Sequence, residues 1–266
     1  MYLFKRSQIL FVILAILLTG SCSNDTSEPA AMKELLIYCG ITMAHPITEM
    51  ARNMEKKLGI RIRVNQGGSE DLYQSLKASR KGDIYLPGSE SYRKNHMQEG
   101  LLGDAVHIGF NQAAIVVEKG NPKQVTADPK QLERKDLNVV ICNPDSGSIG
   151  RETKKILSRE NIFENVLDNV VYLTTDSRNL NYALKQGDAD ITINWKATAF
   201  FDENRDHVET LDLTPEITTP KRLVLNQLIF TEQPEAVQAF MDYAISAEGQ
   251  EIMRRWGFLD ASGNKE

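Results

Sequence analysis

Cysteine is scarce, with three residues in a chain of 266. They lie too far apart to form a disulfide framework. Of the four histidines, His45, His96, His107 and His207, no two have metal-ligand spacing, and no Ser-His-Asp or Cys-His signature accompanies them. His45 lies close to Thr42 and is the one candidate base, although a loop histidine beside a helix start is ordinarily solvated or capping. Neither an enzyme, a metal centre nor a cofactor is expected. No basic stripe offsets the net charge of −5, which argues against a nucleic-acid partner. The apolar run Ile9–Leu18 stops short of the roughly 20 residues needed to span a bilayer as a helix. Internal repeats, low-complexity segments and a heptad seam are also missing.

The beginning of the chain is informative about compartment. Lys5 and Arg6 precede the apolar run, and Thr19-Gly20-Ser21-Cys22 follows it. A short basic start, an apolar stretch and small residues before a cut site form the pattern of a secretory signal. Cysteine placed directly after small residues resembles a bacterial lipobox, although Thr19 stands where leucine is usual. Residues 1–21 are expected to be a lipoprotein signal peptide, with lipid on Cys22 as the membrane anchor. An ordinary signal cut elsewhere is the alternative. Residues 22–32 are polar and contain proline, as a tether does.

The remainder, 41% hydrophobic and 25% charged over the whole sequence, is ordinary globular material. Strand and helix patterns alternate along it. Leu35–Cys39 is a short apolar run; after Pro46, residues Ile47, Met50, Ala51, Met54 and Leu58 recur at helical spacing. Ile60–Val64 alternates as a strand does, and a helix carrying Leu72 and Leu76 follows. Asp83–Leu86 and Asn138–Cys142 predict further strands, Gly150–Arg159 a helix, and Val237, Phe240, Met241 and Ala244 an amphipathic stripe after Pro234. Repeated strand–loop–helix units predict α/β architecture with mainly parallel sheets flanked by helices. Cys39 and Cys142 each end a strand-like run and read as buried small residues rather than a bridge.

Three strands lead into helices through loops of small or hydroxylated residues: Gly40-Ile41-Thr42, Gly67-Gly68-Ser69 and Asp145-Ser146-Gly147-Ser148. In open parallel sheets, ligands bind beyond the carboxyl ends of the strands, where helix N-termini point. Such a terminus carries free N–H groups and roughly half a positive charge. Three of them converging would hold an anion without Lys or Arg. Any one loop alone is explained by Ser and Thr as helix caps. Glu70 and Asp71, just after Ser69, read as complementing the helix dipole from the outside.

The stretches LLIYCGITMAHPITEM, RVNQGGSEDLYQSL, GDIYLPGSESY, GFNQAAIVVEKGNP, NPDSGSIGRETKKIL, ALKQGDADITINW and SAEGQEIMRRWGF together resemble the molybdate-binding proteins of ABC importers, within the type II periplasmic solute-binding superfamily. The resemblance implies two α/β lobes with the ligand in the cleft between them: residues 33–108 plus 211–266, and residues 109–210. It implies capture of a small oxyanion, molybdate or tungstate first, by an extracytoplasmic, lipid-anchored monomer that delivers it to an ABC permease. Carried onto this chain, Thr42 and Ser69 supply hydroxyl donors, Gly147 a backbone N–H, and Gly88 a further one. Trp195 stands where the family has a tyrosine whose hydroxyl reaches the anion; it either donates its indole N–H or packs at the lobe edge, with Asn194 beside it as an alternative polar contact. Other readings remain: a different solute (sulfate, phosphate or a small organic anion), or a sensor or enzyme reusing the two-lobe fold.

Overall fold

The structure, a computed structural model, describes residues 33–263. The signal sequence, the lipidation site at Cys22 and the tether lie outside the described residues. Among the described residues, no helix is long and apolar enough to cross a membrane.

The elements run β1 (Glu34–Gly40), α1 (Ala44–Leu58), β2 (Arg61–Gly67), α2 (Ser69–Ser79), β3 (Ile84–Leu86), α3 (Ser91–His96), β4 (Leu102–Asn111), β5 (Ala113–Glu118) and β6 (Val139–Cys142). They continue with α4 (Ser148–Arg159), α5 (Phe163–Leu167), β7 (Val170–Thr174), α6 (Ser177–Gln186), β8 (Ile191–Trp195), β9 (Val208–Asp212), β10 (Lys221–Leu228), α7 (Pro234–Ile245) and α8 (Ala247–Arg255). The helical spacing read from Ile47, Met50, Ala51 and Met54 becomes the buried face of α1. That helix stops at Gly59, whose φ of 65° is left-handed and whose N–H closes onto Glu55 O at 2.9 Å. Pro234 opens α7 at the first helical position, where its missing N–H costs nothing.

Two five-stranded sheets make the two lobes, in the orders β2-β1-β3-β10-β4 and β7-β6-β8-β5-β9. Each is mixed: β1 pairs in parallel with β2 and β3, while β10 is antiparallel to β3 and β4. In the second sheet β6 is parallel to β7 and β8, while β5 is antiparallel to β8 and β9. The parallel strands β1, β2, β3, β6 and β7 each lead into a helix. The antiparallel ones carry the chain between sheets: β4 passes into β5 with only Gln112 between them, and the return runs from β9 to β10. β4, β5 and β9 lead directly into no α-helix and leave no strand–loop–helix trace in the sequence.

Each lobe has its own core. One gathers Ile37, Met50, Ile84, Leu225, Phe240 and Met253; the other gathers Ile115, Val140, Ile141, Leu157, Leu180 and Ile193. Cys39 and Cys142 are free and buried, one in each core, and burial pushes the Cys142 thiol up to about 12.

Gly109 lies near the end of β4, beside a shift in its register against β10. Its φ is +146°, and a Cβ there would sit 2.4 Å from the carbonyl oxygen of Leu259, whose backbone pairs with the adjacent Phe110. Gly109→Ala is expected to destabilise the fold by on the order of 1–3 kcal/mol, read as a lowered urea midpoint at unchanged slope.

Candidate functional site

Six strand ends meet in the gap between the lobes. The chain leaves β1 at Gly40, β2 at Gly67 and β3 just before Gly88 on one side, and β6 before Gly147, β7 before Asp176 and β8 at Trp195 on the other. Together they line a small, partly open pocket of ≈ 10 Å³, with Thr42, Ser69, Ser148 and Ser177 as its hydroxyl-bearing residues. All four are buried. No Lys, Arg or His lines the pocket, and its one acidic residue, Asp176, already accepts N–H groups from Arg178 and Asn179 as the cap of α6.

The first turns of α2 and α4 are not capped in that way. Their N-cap positions are Gly68 and Gly147, and neither end has a side-chain cap. Ser69 and Ser148 sit one position further on, inside the helices, so the capping explanation for these hydroxyls does not hold. The N–H groups of such a turn have no partner inside the helix, and the positive end of each dipole faces the pocket.

The hydroxyls hold one another in a defined pattern. Gly88 N–H donates to Ser69 Oγ at 3.0 Å. The Trp195 indole N–H donates to Ser148 Oγ at 3.2 Å. Thr42 Oγ1 and Ser177 Oγ lie 2.8 Å apart across the cleft. Ser69 and Ser148 each accept from a group that only donates, which leaves their own protons to give away; the Thr42–Ser177 pair keeps one proton between its oxygens and has one to spare. The arrangement offers hydrogen bonds to a guest and asks for almost none.

Of the residues expected from sequence, Thr42, Ser69, Gly88, Gly147 and Trp195 come together in this pocket. Their atoms play somewhat different parts from those expected. Gly147 N–H turns back to Asn143 O at 3.2 Å, so the backbone donors at this end are those of the first turn of α4. Gly88 N–H is committed to Ser69. Asn194 is a correction: its amide lies under α6, donating to Ser177 O and Asn181 Oδ1 while its oxygen accepts from Trp195 N–H. Successive side chains of a strand point to opposite faces, and on β8 it is Trp195 that faces the cleft. His45 lies away from the pocket, 2.9 Å from Glu203 and stacked on Trp256. Ser148 was named within its loop but not as a donor, and Ser177 was missed. Ser177 follows a fourth strand–hydroxyl–helix junction, Thr174-Thr175-Asp176-Ser177, a signal present in the sequence but hidden because β7 is not read there as a strand.

A second correction concerns Glu70 and Asp71. Both reach across the cleft instead of facing outward: Arg151 Nη2 donates to Glu70 Oε2 at 2.5 Å, and Ser146 Oγ donates to Asp71 Oδ2 at 2.6 Å. Glu70 N–H also donates to Ser146 O at 3.1 Å, and the Arg151 guanidinium lies 4.0 Å over the Tyr92 ring. These contacts latch the lobes together at the mouth of the pocket and give the carboxylates partners other than a guest. Burial pushes the Glu70 carboxyl up, but the Gln74 hydrogen bond and the charges of Arg151 and His96 outweigh it and hold it below the ordinary value.

A family model described as bacterial extracellular solute-binding protein matches residues 35–259. The molybdate-binding protein ModA of Rhodobacter capsulatus is 18% identical over 231 residues, covering 87% of this chain and 90% of its own. Among solved structures, the periplasmic molybdate-binding protein of Azotobacter vinelandii superposes with a TM-score of 0.74 at 12% identity, covering 85% of this chain and 98% of its own. The sulfate-binding protein SubI of Mycobacterium tuberculosis gives 0.70 at 17% identity, covering 85% and 86%. At these identities the structural likeness is one of fold.

Two outcomes are expected at the cleft. A Cβ on Gly88 would sit 2.1 Å from Ser148 Oγ on the opposite lobe, so Gly88→Ala should hold the lobes apart and enlarge the radius of gyration measured by small-angle scattering. The Glu70 latch, whose carboxyl is lowered in the closed form, contributes fully above pH 4.5, the ordinary value, and is lost as pH falls through the lowered one. Scattering across that range should show wild type opening, while Glu70→Gln is open-shifted already at neutral pH and responds less to acid.

Proposed function

Since the chain belongs to the bacterial extracellular solute-binding protein family, we propose that it captures a small, fully deprotonated oxyanion, molybdate or tungstate first, and delivers it to an ABC permease. The observation that carries this reading is the donor pattern of the pocket. Neutral O–H and N–H groups surround the space, Ser69 and Ser148 each already accept from a group that only donates, and the one carboxylate is occupied by a helix cap. A dianion without protons accepts from every side and suits such a wall. Each charge-assisted hydrogen bond contributes roughly 1.5–3 kcal/mol net where water is excluded. The likeness in fold to a molybdate-binding protein supports the choice of anion.

Capture needs no chemistry. The open lobes admit the hydrated ion, the donors replace its water, and closure through Thr42–Ser177 and Glu70–Arg151 buries it. The closed shape is what the permease would recognise. A lipid on Cys22 would keep this monomer at the membrane surface through the polar tether that follows.

Sulfate is the second reading, favoured by the same donor-only wall and by the fold shared with a sulfate-binding protein. The remaining anions are separated by a thermal-shift panel of molybdate, tungstate, sulfate, phosphate and chromate. At a hundredfold excess over Kd, the true ligand should raise Tm by roughly 5–10 °C. No shift with any of them would overturn the oxyanion reading in favour of an organic solute. Thr42→Ala and Ser69→Ala should each weaken binding of the responding anion by roughly 10- to 100-fold in calorimetry, with little change in the ligand-free Tm.

A further inference from the structure

We infer that Trp195 does not touch the captured anion but acts through Ser148, as a positioning residue that fixes the Ser148 hydroxyl as a donor to the ligand. The inference rests on the oxyanion reading of the pocket and concerns how one wall of it is built.

An indole has one polar hydrogen and no acceptor. In Trp195 that hydrogen is spent on Ser148 Oγ, 3.2 Å away. The residue is 1% exposed, and the backbone around it is pinned on three sides: Trp195 N–H donates to Asn194 Oδ1 at 2.8 Å, Thr198 Oγ1 donates to Trp195 O at 2.8 Å, and Lys196 N–H donates to Gln112 O at 2.7 Å. The indole therefore has little freedom to turn its N–H toward a guest.

For Ser148 the consequence is one of direction. A hydroxyl beside water or another hydroxyl can exchange the roles of donor and acceptor, but beside an indole it cannot. With Trp195 as its partner, Ser148 must offer its proton elsewhere. Its oxygen lies in the cleft, close enough to Gly88 on the opposite lobe that a Cβ there would meet it at 2.1 Å. The proton is thus available to whatever the lobes close upon. Donation from the indole also polarises the O–H bond, strengthening the hydrogen bond that Ser148 gives.

A double-mutant cycle tests the relay, using the anion that gives the largest thermal shift as the probe. Trp195→Phe should weaken binding about tenfold and Ser148→Ala by at least as much. In the Ser148→Ala background, Trp195→Phe should change affinity by less than about twofold. Losses that multiply would mean that Trp195 acts on the anion independently of Ser148, and would overturn the proposal, as would wild-type affinity in either single variant. Site-specific replacement of the Trp195 indole by benzothiophene, which keeps the ring's shape and removes its N–H, covers the case in which Trp195→Phe fails to fold; it should reproduce the tenfold loss at an unchanged ligand-free Tm. Wild-type affinity in this variant would equally overturn the relay. Failure of the underlying reading looks different, because wild type itself would then respond to no oxyanion.

Discussion

The first turns of α2 and α4 begin at glycine caps that bring no side-chain partner to their backbone N–H groups, and both turns line one gap. Burying such groups is costly unless something accepts from them. Much of the cleft follows from that constraint. Cationic side chains are unnecessary, since two helix ends already make the local potential positive within a chain whose net charge is −5. Ser69 and Ser148, placed inside the helices rather than at their caps, have their hydroxyl protons left for the same space.

Around this electropositive gap the acidic residues are kept occupied. Asp176 is held by the start of α6, Asp71 by Ser146 and Glu70 by Arg151. Carboxylates so close to an anion site would repel a guest if left unpaired, and pairing across the cleft turns them into the means of closing it. On the proposed function, lobe closure and anion binding would be coupled through these shared residues: the turn that begins with Ser69 carries a donor at its first position and the latch at its next two.

Much of this was legible in the chain. The strand–loop–helix junctions, the buried stripes of α1 and α7 and the three small-residue loops at Thr42, Ser69 and Gly147 can be read from short stretches, because periodicity and loop composition are local; Gly88 entered only through the family resemblance. The antiparallel strands β4, β5, β9 and β10 were not legible, since their identity depends on partners in distant parts of the chain. Nor was Ser177, because its junction follows a strand at the sheet edge whose exposed Val171, Tyr172 and Leu173 give no alternation to recognise.

By itself, the sequence determined which residue types stand at the strand ends, and therefore that the walls of any site there would be neutral and rich in hydroxyls. Only the tertiary structure decided where each proton goes. Asn194 and Trp195 are neighbours in sequence, yet the pleat of β8 sends one under a helix and the other into the cleft. Glu70 and Arg151 are 81 positions apart, and no local pattern announces their pairing. Hydrogen-bond direction depends on which groups meet in space, and that is set by how two separately folded sheets close on each other.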